Sequence, residues 1–140
     1  DGDDTQSVDA AVESWQRAFE ASEFSHLVPE ALEREIHLPL GGHVVICKID
    51  AVFRRDGRIV IVDWKTGKTP EGDELERKSL QLALYREAWS AWSGTPAEEI
   101  DAAFWFSQEA KVVPPTQLPT RAELEQLLIG AKERSAEKRL

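Results

Sequence analysis

Residues 43–67, HVVICKIDAVFRRDGRIVIVDWKTG, read as two β-strands joined by a tight turn at Asp56-Gly57. Asp-Gly between two apolar, β-branched runs is the strongest short-range hairpin signal, because both central residues of the favoured turn take positive φ. A two-residue turn places Asp50 directly opposite Asp63, with Cβ atoms about 4.5–5.5 Å apart. Side chains alternate along a strand, so Lys65 projects from the face that carries Asp63. One face then reads Cys47, Ile49, Ala51, Phe53, Val60, Val62 and Trp64. The other reads Val44, Ile46, Val52, Ile59 and Ile61, interrupted by Lys48, Asp50, Arg54, Asp63 and Lys65. Two mostly apolar faces predict central strands covered on both sides. Facing carboxylates in that setting repel and lose hydration, so they require a cation or a shared proton. A divalent metal held by Asp50 and Asp63 meets the requirement. The plainer alternative is an ion-pair ladder of Lys65, Lys48 and Asp50 near a sheet edge.

The flanking segments supply the rest of a domain. LEREIHLPL, residues 32–40, alternates and predicts a strand that turns at Gly41-Gly42 into the hairpin. That turn opposes Glu35 to Lys48 and leaves Glu35 one diagonal step from Asp50. A polar loop with Pro70 and Gly72 follows Lys65, and Lys68 in it is either a solvated lysine or a phosphate contact. A helix is expected over about 74–92, its apolar surface built from Leu75, Leu80, Leu82, Leu84, Ala88, Trp89 and Trp92. Lys78, Gln81 and Tyr85 fall on one stripe of it, so Gln81 and Tyr85 can point at one place. Residues 100–107 predict a strand and 110–113 its partner. A last helix, about 121–138, opens on the Thr120/Glu123 capping box and buries Leu124, Leu127, Leu128 and Ala131. Ahead of all this, residues 1–6 read as a leader. Ser7 caps a helix over about 8–22 carrying Val8, Val12, Trp15 and Phe19 at helical spacing. The expected class is α/β (α+β), a mixed central sheet built around the hairpin and flanked by helices, in a single domain over 1–140.

Asp50, twelve residues, then Asp63-Trp64-Lys65 resembles the D-x(n)-(D/E)-x-K signature of PD-(D/E)XK nucleases. The fuller string from Ile49 to Gly67, with an aromatic and Lys-Thr-Gly after the second acid, is similar to the RecB-type branch. There a Gln-x-x-x-Tyr motif follows on a helix, and Gln81-Leu-Ala-Leu-Tyr85 matches it. The resemblance covers about residues 33–92 with its elements in order, and implies a restriction-endonuclease-like core. It also implies Mg²⁺ or Mn²⁺ at Asp50 and Asp63, with the Trp64 carbonyl completing the coordination. Glu35 matches a carboxylate that such domains often carry on the preceding strand, although a Glu35–Lys48 ion pair would serve as well. Domains of this kind close UvrD/PcrA-like helicase-nucleases, including the actinobacterial AdnAB type. The implied setting is therefore a fragment of a longer bacterial, cytoplasmic, nucleoid-associated chain that acts in double-strand-break processing. Its partners would be single-stranded DNA fed by an ATP-dependent helicase motor, the parent helicase domains and a second helicase-nuclease subunit. One departure stands out. Related nucleases often take an extra ligand from a histidine on an N-terminal helix, and the first predicted helix has none; His26 would have to substitute, or the ligand would lie upstream.

Composition narrows the alternatives. With 140 residues, 41% hydrophobic content, five Trp and five Phe, the chain can bury a real core. No apolar run approaches 18 residues and no signal-peptide pattern is present, which points away from membranes. The single Cys47 excludes an internal disulfide and the four-cysteine iron–sulfur cluster of some RecB-like nucleases, and makes an intracellular setting the default. Net charge is −9, which argues against a free-standing nucleic-acid binder. Its distribution is uneven: −8 over residues 1–33, +2 over 34–86 and −3 over 87–140. The three histidines sit in no nucleophile motif, and no P-loop, dinucleotide fingerprint, zinc-ligand spacing or internal repeat is present.

The expected chemistry is metal-dependent phosphodiester hydrolysis, with Asp50, Asp63, Lys65, Gln81 and Tyr85 as the working side chains. Lys65 would orient the attacking water or meet charge developing on the phosphate. Two rivals predict otherwise. A non-catalytic, nuclease-like module docking or guiding DNA in a helicase would ignore Mg²⁺ and Mn²⁺. An unrelated small-ligand domain would tolerate Asp50→Ala.

Overall fold

In the computed structural model the described residues are 17, 19–115 and 117–138, with side chains described to 130. Five strands form one sheet in the order β1 (Pro29–Leu40), β2 (His43–Arg55), β3 (Arg58–Lys65), β4 (Ile100–Phe106) and β5 (Lys111–Val113). Pairing is antiparallel throughout except between β3 and β4, which run parallel and are connected through helix α1 (Asp73–Ser93). Helix α2 (Arg121–Lys138) closes the described chain.

Both hairpins form as expected. Gly41 and Gly42 have φ of 55° and 80°, and Asp56 and Gly57 have 53° and 80°, the left-handed pair that matches the twist of the flanking strands. Glu35 therefore pairs with Lys48, and Ala51 with Val62. The strand predicted from residue 32 begins earlier, at Pro29, and the other predicted boundaries fall within two residues. Of the first predicted helix, Arg17 and Phe19–Ala21 are helical; Ser7, Val8, Val12 and Trp15 lie outside the described residues.

The sheet is covered on both sides over β3 and β4, but not at the start of β2, where Val44 and Ile46, expected on a covered face, stay 64% and 59% exposed. On one side Ile59, Ile61, Phe104 and Phe106 pack against Leu82, Ala83, Tyr85, Ala88 and Trp89 of α1. On the other, Ala51, Phe53, Val60, Val62 and Trp105 pack against Phe24, with Phe19, Leu27 and Trp64 at the margin. Helix α1 has no side-chain cap, but Asp73, Glu74 and Glu76 sit in its first turn, where the helix dipole favours acids. It ends at Gly94, φ 82°, whose N–H reaches the Ser90 carbonyl at 2.9 Å. The Thr120/Glu123 capping box is made in both directions at α2, each bond 3.2 Å. Among the described residues no helix is long and apolar enough to cross a membrane.

Three expectations about the core are corrected. Cys47 and Ile49 do not share a face with Ala51 and Phe53: they point to α1, as does Val52. Alternation slips between Ile49 and Val52, at the level where Glu33 of β1 takes φ 48° and the 33/50 pair drops out of the ladder. On the same slip, the buried positions of β1 pass from Ile36, Leu38 and Leu40 to Ala31. Trp92 is not core; it keeps 55% of its surface exposed at the end of α1. Leu127 of α2 is likewise 48% exposed, while Leu124 and Leu128 make the contact with the core.

Candidate active site

The site grows from the place where β3 changes partners. Pairing of β2 with β3 stops at Ala51–Val62, while β3 continues beside β4 through Lys65. Past that point the Asp50 carboxylate takes over from the β2 backbone, accepting the Trp64 N–H at 2.8 Å. At the end of β4, Ser107 holds the Lys65 carbonyl through its N–H at 2.9 Å and its hydroxyl at 3.3 Å. Asp63 and Lys65 are thus fixed by backbone bonds on two strands, and Asp50 is held by a third.

Five predicted residues converge here. Asp50 has Asp63 as its strongest charged influence, and Asp63 is 4% exposed. Lys65 Nζ lies 2.9 Å from Asp63 Oδ2 and donates to Gln81 Oε1 at 3.2 Å. Gln81 Nε2 in turn donates to the Tyr85 hydroxyl at 2.9 Å. The Lys65–Asp63 contact has ion-pair distance without hydrogen-bond angles, so Asp63 Oδ2 is buried with no hydrogen-bond donor among the described residues.

The electrostatics match that crowding. Burial pushes the Asp50 carboxyl up, and the facing Asp63 pushes it further by hydrogen bond and charge, to about 7. The Trp64 N–H and the Lys65 ammonium pull the other way without compensating. Burial, then the charges of Asp63 and Asp50, raises the Tyr85 phenol as well, so it keeps its proton at neutral pH. Cys47, on the same side of the sheet, is pushed up to about 11 by burial and is no nucleophile.

These residues fit a divalent cation. A buried carboxylate oxygen lacks a donor, and two acids face each other with one lysine between them and α1. The hard oxygen donors suit Mg²⁺ or Mn²⁺. Among the described residues no third His, Cys, Asp or Glu completes a cluster. Glu35 in particular is not brought to the pair. Its exposed carboxylate bonds His37 at 3.0 Å, and the slip in alternation leaves it and Lys48 off the α1 side. His26 is exposed on the loop before β1, and His43 is exposed at the start of β2.

A profile of the PD-(D/E)XK nuclease superfamily matches residues 2–139. The chain belongs to this superfamily. Its mixed five-stranded sheet flanked by helices agrees with the restriction-endonuclease-like fold of that group, whose members are generally nucleases that use divalent metals. No curated protein matches the chain. Asp50, Asp63 and Lys65, the acid–acid–lysine set that the sequence resemblance implies, lie together where β2 and β3 part. Sequence reasoning missed two supporting positions, Glu33 and Ser107. A glutamate inside a strand run and a serine after one carry no local signal of a left-handed φ or a bond to a distant carbonyl. The cavity of about 300 Å³ between α1 and α2, lined by Glu76, Ser79, Leu118 and Glu123 among others, contains none of the five site residues.

Proposed function

We propose that this domain is a metal-dependent deoxyribonuclease of the RecB-like branch, working within an ATP-dependent helicase-nuclease on DNA ends. The observation that carries the reading is the buried Asp50–Asp63 pair with Lys65 at 2.9 Å. Repelling acids beside a single lysine are poor packing, but they suit a cation. The RecB-like assignment rests on the Lys65-Thr66-Gly67 string and on the Gln81–Tyr85 motif. Both side chains of that motif join the acidic cluster through Lys65.

Asp50 and Asp63 would hold Mg²⁺ or Mn²⁺, with the Trp64 carbonyl as the third protein donor that the resemblance implies. When bound, such an ion polarises a phosphate oxygen and makes water nucleophilic near neutral pH. Asp50 has to surrender its proton for the site to load, so loading strengthens as pH passes about 7. Lys65 places a positive charge beside the position of the scissile phosphate, where it stabilises charge that grows in the transition state. Gln81 fixes that ammonium: its carbonyl is committed to Lys65, so its amide nitrogen must donate to Tyr85. Because the Tyr85 oxygen accepts that bond, its own proton is left to donate to substrate or water.

The test is calorimetric titration with Mn²⁺ of the wild type beside Asp63→Ala, followed by cleavage assays on labelled DNA. Saturable binding lost in the variant, together with Mg²⁺- or Mn²⁺-dependent cleavage, is the expected outcome. A second reading, a nuclease-like module that only guides DNA, is favoured by the net charge of −9. It predicts no response to either metal.

A further inference from the structure

We propose that Arg34 and Trp92 form a stacking platform for an unpaired base of a single-stranded DNA substrate. Trp92 is a large aromatic left 55% exposed, where desolvation would favour burying it. The Arg34 guanidinium lies over its ring at 4.6 Å from the centroid, and Trp89 supports it at 5.0 Å between centroids. Arg34 has no carboxylate partner among the described residues, although acids outnumber bases in the chain. A guanidinium over an exposed indole, with no carboxylate partner among the described residues, offers a π surface and a positive charge together. That is the chemistry that takes an unpaired base and its phosphate. A duplex offers no such free base face.

The position continues from the active site along two separate elements. On α1, Gln81, Tyr85 and Trp92 lie on one stripe, Trp92 returning to within about 20° of Gln81 at 3.6 residues per turn. Trp92 is then about 10 Å along the helix from Tyr85, the length of about three stacked nucleotides at roughly 3.4 Å each. On the sheet, Arg34 pairs with Ile49, the neighbour of Asp50. A strand running from the Asp50–Asp63 pair past Tyr85 can therefore lay a base about three nucleotides beyond that tyrosine on the Arg34–Trp92 pair. This placement rests on the nuclease reading; the stack as a binder of single strands does not.

The experiment measures binding of a fluorescent oligothymidine and of a blunt duplex of equal length, with EDTA present to prevent cleavage. Wild type, Trp92→Ala, Trp92→Phe and Arg34→Ala are compared, with thermal melts confirming that each is folded. Trp92→Ala and Arg34→Ala are expected to weaken single-strand binding roughly ten-fold and duplex binding less than about two-fold, with Trp92→Phe keeping most of the affinity. Equal affinity of all four proteins for oligothymidine overturns the proposal and leaves the pair a surface for a protein partner. Equal loss on both substrates, or no binding of oligothymidine by the wild type, overturns it as well. Cleavage with Mg²⁺ separates the two readings. Selective loss of single-strand binding in the variants, with a wild type that binds but does not cleave, sustains the stack and removes the nuclease assignment. Cleavage of single strands with the same KM in wild type and Trp92→Ala removes the stack alone.

Discussion

At the scale of single residues, Asp50 carries a cost that the fold accepts for the sake of the site. Its folded carboxyl holds a proton up to about pH 7, against an ordinary value of 3.8. The folded state therefore binds that proton more tightly than the unfolded chain does, and stability declines as pH rises from about 4 to about 7. Asp50→Asn keeps an acceptor for the Trp64 N–H and removes the charge. Urea unfolding should show it more stable than wild type by roughly 1–3 kcal/mol at pH 8 and equal to it at pH 4. The same offset at both pH values would mean that geometry, not charge, separates them. Lys65 and Gln81 make a graded pair. Lys65→Ala should lower kcat by about 100- to 1,000-fold, as loss of a transition-state donor does. Gln81→Ala should cost about ten-fold, because Lys65 keeps its contact with Asp63. Single-turnover cleavage rates would rank them.

At the scale of elements, each piece stands on local chemistry that can be perturbed separately. The Thr120/Glu123 box holds the first turn of α2, whose Leu124 reaches the core. Thr120→Ala should cost about 1 kcal/mol in urea unfolding and leave metal binding unchanged, since α2 contributes no residue to the acid pair. The β2–β3 turn is read directly from Asp56-Gly57, and with it the Asp50–Asp63 opposition that frames the site. The slip in β1 and β2 could not be read in the same way. It depends on Glu33 adopting a left-handed φ and on a missing pair opposite Asp50. A period-2 pattern run straight through that point assigns Cys47, Ile49 and Glu35 to the wrong faces. The apolar residues of α1 are legible as a set, but which of them the sheet covers is decided by packing, which leaves Trp92 outside the core.

At the scale of the whole molecule, the metal site proposed here would link loading to folding, because the acid pair exists only when β2, β3 and β4 are assembled. A cation that binds only the folded chain stabilises it by about 2.7 kcal/mol at a concentration 100 times its dissociation constant. Thermal melts should therefore rise with Mn²⁺ at pH 8, rise less at pH 6 where Asp50 is largely protonated, and not respond in Asp63→Ala. EDTA should reverse the shift. An equal rise in the variant would place the ion elsewhere on this acidic chain.

What the amino-acid order determined alone was local and periodic: both two-residue hairpins, the two main helices, the capping box, and the spacing that brings Asp50, Asp63 and Lys65 onto adjoining strands. Those follow from φ preferences and side-chain periods within a few residues. The stripe bearing Gln81 and Tyr85 was likewise visible, though its target was known only from the resemblance. Tertiary structure decided the rest. The parting of β2 from β3 let the Asp50 carboxylate replace a backbone acceptor, and Ser107 came to hold the carbonyl of Lys65 across 42 residues of sequence. The slip at Glu33 turned Glu35 away from the acids, and Arg34 met Trp92. Each of these contacts joins segments far apart in the chain, and their geometry is set by packing that no local pattern encodes.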